Sequence, residues 1–261
     1  MFHSLLLIAQ EKTYGGKEEQ LVKLHNSLGS MVIVPFEDRM YLSDADGPIG
    51  RETGLDPGEL QVKFRNALLE SLEQELRKDW DLEVLYDQVV RERGFDLAYI
   101  HSSRKYNYVA VSDEVLMVND TNLRKKDLKA TKVKGKSGID KGEIVTVSDR
   151  SEKFMNLQVV NDTLINYLVR TAPSNFYLFI NEFDIRHFVT DPDRIANGGL
   201  SYQLKVHFTC LDAKGNTTLA GSATSKVDAT NSNIYSVIKA GIPELTEKIS
   251  RMIRKFNTVD Q

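Results

Sequence analysis

The clearest pattern of apolar and polar positions along the chain lies between Ser201 and Val227. Apolar residues occupy every second position of the first arm, which predicts a β-strand with one buried face. The turn Asp212-Ala-Lys-Gly215 follows, and the return arm carries small residues on one side. We therefore expect an antiparallel hairpin. The small side chains of its second arm should allow a helix to pack close to the sheet.

The polar positions of the first arm define the opposite face of this hairpin. They are Ser201, Gln203, Lys205, His207 and Thr209. An antiparallel sheet often leaves one face in water, so we expect this face to be solvated. If the face is open, His207 is also a candidate for binding.

Two strands and a capped helix are predicted before this hairpin. The continuous apolar run Met31–Phe36 is typical of a strand buried on both faces, and a second strand is predicted over Leu82–Leu85. Between them, Asp56-Pro57-Gly58-Glu59 combines an N-cap, a proline at the first helical position and a capping-box glutamate. The pattern predicts a helix from this point to about Lys78.

A long strand is predicted over Phe176–Val189. Its apolar residues lie at even positions up to Ile180 and at odd positions from Phe183. A one-residue change of phase at Asn181-Glu182 is what a β-bulge produces. An edge position for this strand would leave it open to pairing with another chain.

Three further elements complete the prediction. We expect a hairpin from Leu97–His101 and Tyr106–Val111, and a helix that begins near Asp149 and ends before Pro173. Apolar residues at helical spacing predict a terminal helix over residues 234–256, kinked or broken at Pro243.

The order of elements predicts an α+β, two-layer fold. We expect a mixed sheet with an antiparallel C-terminal meander, and helices packed mainly on one face. Residues 1–29 form a signal remnant or an N-terminal extension with a short helix. Residues 30–257 form a single α/β domain that contains an irregular basic insert at about 87–150.

Composition excludes some classes of function. The chain has 261 residues and a formal net charge of −3 at pH 7, which argues against a nucleic-acid binder. No segment approaches the ~20 apolar residues of a transmembrane helix. The single cysteine, Cys210, lies on the apolar side of a strand, which predicts a buried and inert thiol. We expect no cofactor and no bound metal.

A basic run is the strongest charge feature. Its densest part consists of Arg124, Lys125, Lys126 and Lys129. Such a run forms a solvated loop or binds an anionic surface, but it lacks the interleaved aromatic residues that stack on nucleic-acid bases.

The segment from Glu37 to Leu55 is the best candidate for a functional site in the sequence. Nineteen residues between a strand and a capped helix exceed what a simple connection needs. Charged and apolar groups are mixed here, as at a partner-binding surface. The segment binds a partner, folds back on its own domain, or supplies carboxylates to an enzyme or metal site. The candidate residues are Glu37, Asp38, Arg39, Met40, Tyr41, Asp44, Asp46 and Arg51.

Two motifs resemble a group of bacterial envelope domains. One is Val32-Ile-Val-Pro-Phe36, followed by a polar loop and an amphipathic helix; the other is Val206–Gly215, continuing into Thr218–Ser222. They resemble the TolB amino-terminal region, the curli-secretion channel lipoprotein and the outer-membrane activators of penicillin-binding proteins. The resemblance covers about residues 30–86 and 150–257. The lipid-bearing cysteine common in the group has no counterpart here.

The resemblance implies non-enzymatic work in the envelope through protein–protein contacts, and it carries over no catalytic residue. We expect a protein-binding or assembly/secretion accessory module, periplasmic or associated with the outer envelope, that binds other envelope proteins or itself. Two alternatives stay open. One is an enzyme or metal-binding protein that uses the carboxylates of residues 37–55. The other is a cytoplasmic binder of anionic surfaces that uses the basic run.

Overall fold

The structure is a computed structural model that describes residues 28–110, 138–140, 143–145, 153–187, 200–229 and 233–258. Two features of the sequence lie outside these residues. One is the N-terminal segment considered as a signal remnant. The other is the dense part of the basic run, Arg124, Lys125, Lys126 and Lys129.

The described residues contain ten strands and six α-helices. The strands are β1 (Ser30–Val34), β2 (Tyr41–Ser43), β3 (Asp81–Val84), β4 (Arg104–Ala110), β5 (Gly138–Asp140), β6 (Glu143–Val145), β7 (Lys153–Val159), β8 (Phe176–His187), β9 (Leu200–Asp212) and β10 (Thr217–Ala229). The helices are α1 (Asp46–Thr53), α2 (Pro57–Leu76), α3 (Asp87–Arg93), α4 (Leu97–Ser102), α5 (Thr163–Thr171) and α6 (Ile234–Thr258). A 3₁₀ turn covers Asp38–Met40.

The main sheet is mixed, and its order is β10-β9-β8-β1-β3. Strands β1 and β3 are parallel, β1 is parallel to β8, and β8, β9 and β10 form an antiparallel meander. Strand β2 pairs in parallel with the second half of β8. The α+β fold, the mixed sheet and the C-terminal meander are therefore confirmed.

Strand β8 lies at the centre of the sheet. It pairs with β9 along one side, and with β1 and then β2 along the other. The register with β9 shifts between Ile180 and Glu182, so the predicted bulge is confirmed and Asn181 is its extra residue. The sequence left open whether this strand lies at an edge, and the structure excludes an edge position because β8 is paired on both sides.

Two long helices cover one face of the sheet. The capping box of α2 is confirmed: the Asp56 carboxylate accepts from Glu59 N–H at 2.8 Å, and the Glu59 carboxylate accepts from Asp56 N–H at 2.9 Å. The helix buries a stripe of leucines and Phe64 against the sheet. Helix α6 runs without a break through Pro243, so the expected break is absent.

The opposite face of the sheet has a different cover. Strands β4 and β7 form a separate antiparallel pair. This pair, together with α3, α4 and α5, packs a second apolar cluster against Val32, Val34, Tyr177 and Phe179. The β4–β7 pair and the main sheet thus form two layers with a buried interface between them.

Two predicted elements in this second layer are wrong. The segment expected to start a hairpin is helix α4, because the Asp96 carboxylate caps it by accepting from Tyr99 N–H at 2.8 Å. The helix expected from Asp149 is a strand over its first described part, β7, and only Thr163–Thr171 is helical. Pairing with β4, distant in sequence, determines the strand.

Helix α6 approaches the sheet most closely at Gly241. A Cβ atom added there would lie 2.7 Å from both Leu204 Cδ2 of β9 and Val227 Cγ2 of β10. We expect Gly241→Val to lower the free energy of unfolding by about 1–3 kcal/mol, because the helix must move off the hairpin. Urea denaturation measures the change. Ala240→Val, at the exposed neighbouring position, is the matched control, and an equal loss in both variants would contradict the close packing.

Candidate functional site

The eight candidate residues of the 37–55 segment do not converge on one point. Glu37 pairs with Arg39 at 2.9 Å, and Asp38 pairs with Arg65 of α2. Asp44 and Arg51 are exposed on separate turns of the chain. The carboxylates are therefore dispersed. In the part of the chain that the structure describes, no group of three or more His, Cys, Asp or Glu side chains is placed to hold a metal ion.

The same segment contains local structure and its own buried residues. Ala45 and Ile49 of the α1 region are fully buried, and Met40 and Tyr41 pack against the main core. The Tyr41 hydroxyl donates to Asp46 at 2.7 Å, and burial raises its pKa above the ordinary value. The segment folds back on its own domain, which was one of the three interpretations of the sequence.

A polar pocket lies instead between β4, β7 and the polar face of β8 and β9. Its volume is about 610 Å³. All eight lining side chains have polar groups, and five of them carry a formal charge at neutral pH when ionised in the usual way. The lining residues are Tyr108, Lys153, Glu182, Asp184, Arg186, Gln203, Lys205 and His207. None belongs to the eight candidates of the 37–55 segment. His207 was a candidate from the sequence only if the polar face of its strand were open.

The bulge at Asn181 gives the pocket its carboxylates. Before the bulge, Leu178 and Ile180 face the helices; after it, Phe183 and Ile185 do so. Glu182 and Asp184 consequently point to the other face, under the β4–β7 layer. Without the extra residue, the strand would direct its charged residues into the apolar core.

The side chains of β9 hold β7 over the sheet. Lys205 Nζ donates to the Lys153 carbonyl at 3.0 Å, and His207 Nδ1 accepts from Met155 N–H at 2.8 Å. Thr209 Oγ1 accepts from Leu157 N–H at 3.1 Å. Each contact joins residues 52 positions apart. Alternate residues of β9 therefore contact alternate residues of β7 in a constant register. We call this set of three contacts the side-chain ladder.

Asn181 connects the bulge to the side-chain ladder. Its Nδ2 donates to the Met155 carbonyl at 2.9 Å and to Thr209 Oγ1 at 2.8 Å. Thr209 in turn donates its hydroxyl proton to Asn156 Oδ1 at 3.3 Å. The backbone of β7 is thus satisfied by side chains where a neighbouring strand would otherwise pair.

Glu182 is the buried carboxylate at the centre of the pocket. The Tyr108 hydroxyl donates to its Oε2 at 3.1 Å, and His207 Nε2 lies 3.5 Å from its Oε1. Burial raises the pKa of Glu182, although the hydrogen bond from Tyr108 acts in the opposite direction. Burial also raises the pKa of Tyr108 to about 12, so this hydroxyl keeps its proton at neutral pH.

His207 is neutral in this setting. Burial, together with the smaller effect of the positive charges of Lys205 and Arg186, lowers its pKa to about 3. Because Nδ1 accepts a backbone hydrogen bond, the ring proton is on Nε2, the nitrogen that faces Glu182. The expectation of a solvated polar face at His207 is wrong, since only 3% of the residue is exposed and β7 covers it.

Asp184 and Arg186 form an ion pair in the lining of the pocket, and the two side chains differ in depth. Arg186 Nε lies 2.6 Å from Asp184 Oδ2, and the arginine side chain is 63% exposed while the aspartate is 9% exposed. Burial raises the pKa of Asp184 despite this ion pair. The site therefore offers buried acceptors below and a partly exposed guanidinium at the rim.

Two further titratable groups, Cys210 and His187, lie apart from the pocket. Burial raises the pKa of the Cys210 thiol to about 12, and the thiol is buried as expected. His187 is an exposed residue at the end of β8 that contacts the Tyr202 ring at a centroid distance of 4.9 Å. Neither group shares the cover that β4 and β7 give to Glu182 and His207.

Removing one acceptor tests the side-chain ladder. We expect Thr209→Val to lower the free energy of unfolding by about 1–3 kcal/mol, because Leu157 N–H and the Asn181 amide lose a buried acceptor without a change of side-chain volume. Urea denaturation at pH 7 measures the loss. Thr224→Val on β10 is the control and should change stability by about 0.5 kcal/mol or less. Equal values for the two variants would contradict a structural role for the ladder.

The neutral state of His207 makes stability depend on pH. The pKa in the folded protein is about 3 and the ordinary value is 6.5, so the unfolded chain binds the proton first as pH falls. The contribution is complete above pH 6.5 and is lost toward pH 3. We expect the stability advantage of the wild type over His207→Gln to shrink by about 2 kcal/mol between pH 7 and pH 5.

Urea denaturation at each pH gives this difference. Glu182 and Tyr108 are present in both proteins, so their titration cancels to a first approximation. Thr209→Val, which removes a ladder contact without removing a titratable group, should lose the same stability at both pH values. An advantage over His207→Gln that stays constant would show that His207 is protonated as readily in the folded protein as in the unfolded chain.

None of the helices in the described residues has the length and the apolar composition needed to cross a membrane. Comparison with protein-family models gave no matching family, and comparison with curated proteins gave no match.

Proposed function

We propose that the protein is a non-enzymatic binding module of the bacterial envelope, and that it holds a charged segment of a partner protein in the polar pocket. The observation that carries this proposal is the lining of the pocket. Glu182 and Asp184 lie at its base, while Arg186, Lys153 and Lys205 supply cationic groups around it. Side chains of both charges therefore line the pocket, and either sign of charge on a partner segment has an opposite charge in the lining.

The polarity of the lining favours a protein segment over a small apolar ligand. Pockets for small molecules are lined mostly by apolar and aromatic groups, with a few polar ones that set orientation. Here Tyr108 is the single aromatic side chain in the lining besides His207. Charged groups at an open site select a partner by electrostatic complementarity and speed its association.

The internal bonding of the titratable groups favours binding over catalysis. His207 uses Nδ1 to hold β7, and its low pKa makes it a weak base. Glu182 accepts from Tyr108 and faces the proton on His207. These groups stabilise the two-layer arrangement, and no serine, threonine or cysteine is among the lining residues of the pocket.

The envelope setting comes from the two motifs that resemble TolB-like and curli-channel domains. Those domains act through protein–protein contacts, which agrees with a binding pocket. The enzyme or metal alternative placed on residues 37–55 gains no support from the dispersed carboxylates there. The alternative of an anionic-surface binder depends on residues outside the described part of the chain.

A photo-crosslinking residue in place of Tyr108 tests the proposal in the cells that produce the protein. Tyr108 is 54% exposed at the pocket, and Tyr235 on α6 is 67% exposed on the other side of the sheet. We expect the probe at position 108 to form a protein adduct in the envelope fraction, and the probe at position 235 to form none of the same mass. Mass spectrometry then identifies the partner.

Purified components test the role of the charges. We expect Arg186→Glu to weaken partner binding about tenfold, equivalent to about 1.4 kcal/mol, in titration calorimetry. Arg251→Glu, an equally exposed arginine on α6, is the control and should leave affinity unchanged. An adduct insensitive to Arg186→Glu would overturn the pocket as the binding site. Recovery of the protein in the cytosol alone would overturn the envelope setting.

A further inference from the structure

A buried arginine with unsatisfied donors lies at the inner end of β4. Arg104 is 4% exposed, and its Nε and Nη1 are buried without a hydrogen-bond partner among the described residues. Only Nη2 has a partner, His101 Nδ1. A guanidinium keeps its charge in proteins and carries five donors, so burial of most of them without acceptors is costly. Unsatisfied groups of this kind require an explanation.

Aromatic rings fix the Arg104 guanidinium in place. It lies 5.3 Å from the Phe179 ring centroid and 5.4 Å from that of Tyr106. These cation–π contacts stabilise the charge but use none of the N–H donors. The Tyr106 hydroxyl is also buried without a partner. Three unsatisfied donor groups, Arg104 Nε, Arg104 Nη1 and Tyr106 Oη, therefore belong to one cluster.

Further positive charges surround this cluster. The pKa of His101 is lowered to about 3, first by burial and then by the charges of Arg104, Arg65 and Arg39. Arg65 Nε is a fourth donor that is buried without a partner, and its guanidinium lies 5.3 Å from the Phe36 ring. The arginines differ in depth: the Arg65 side chain is 12% exposed and that of Arg39 is 68% exposed.

The cluster lies at the carboxyl ends of parallel strands. The Phe36–Arg39 stretch follows β1, and Arg65 lies 4.0 Å from Asp87, which follows β3. In open sheets with parallel strands, ligands bind in the crevice outside these ends. The Glu37 carboxylate acts electrostatically on Arg104. Its Oε1 pairs with Arg39, and its Oε2 is buried without a partner among the described residues.

We infer that Arg104, Arg65, Arg39 and Tyr106 form a binding site for a phosphoryl oxyanion. A tetrahedral oxyanion presents acceptors in several directions, which suits unsatisfied buried donors on two arginines and a tyrosine. Glu37 holds part of this place in the protein without ligand, and the incoming anion displaces it. The site is separate from the polar pocket and does not depend on the proposed function.

Thermal unfolding and titration calorimetry of the full chain with inorganic phosphate test the site, with chloride at equal ionic strength as reference. We expect a saturable rise in Tm with phosphate and none with chloride. Arg104→Met should abolish the phosphate-dependent rise. Arg91→Met, at an exposed arginine of α3, should retain it. Glu37→Gln should tighten phosphate binding at least threefold, because the competing carboxylate is removed.

Two further comparisons make the test decisive. If Arg104→Met does not fold by circular dichroism, Arg104→Lys keeps the charge without the planar fork and should bind phosphate at least tenfold more weakly. Tighter binding of phenyl phosphate would identify the phosphoryl end of a larger ligand, and tighter binding of inorganic phosphate would identify the free ion. Equal effects of phosphate and chloride, binding of acetate as tight as phosphate, or an unchanged phosphate response in both Arg104 variants would overturn the inference.

Discussion

The contact on which the two-layer arrangement depends is the side-chain ladder between β9 and β7. Lys205, His207 and Thr209 satisfy backbone groups of β7 on the side that, among the described residues, no strand pairs with. Each backbone N–H or C=O group buried between the layers without a partner would lower the free energy of unfolding by about as much as one lost hydrogen bond. Because the ladder meets this need, a strand pair can cover a polar sheet face, and the polar groups beneath it become buried.

The β-bulge places charged side chains in the same interface. One extra residue directs Phe183 and Ile185 to the helices and leaves Glu182 and Asp184 under β4 and β7. A carboxylate in the opposite apolar core would lack any partner, and its desolvation would be prohibitive. Asn181 donates to Met155 and Thr209, so the residue that creates the bulge also joins the ladder. The register shift and the position of β7 therefore stabilise each other.

Local signals allowed much of the fold to be predicted from the sequence. The capping box of α2 and the change of phase in β8 depend on residues a few positions apart, and both are confirmed. The sequence of β7 also fits a helical pattern, and its pairing with β4 over a long separation decides against a helix. The polar face of β9 was predicted, but alternation within one strand does not show which element covers it.

The alternation of β4 explains why polar side chains are buried between the two layers, whereas the carboxylates of residues 37–55 are dispersed. Arg104, Tyr106 and Tyr108 share the side of β4 that faces the sheet, as the contacts with Phe179 and Glu182 show. The carboxylates of residues 37–46 have local partners such as Arg39 and Tyr41. Between the layers, by contrast, burial shifts the pKa of Glu182 and leaves Arg104 with unmet donors. Groups in that condition gain most from an external ligand, since the cost of burying them is already part of the folded state.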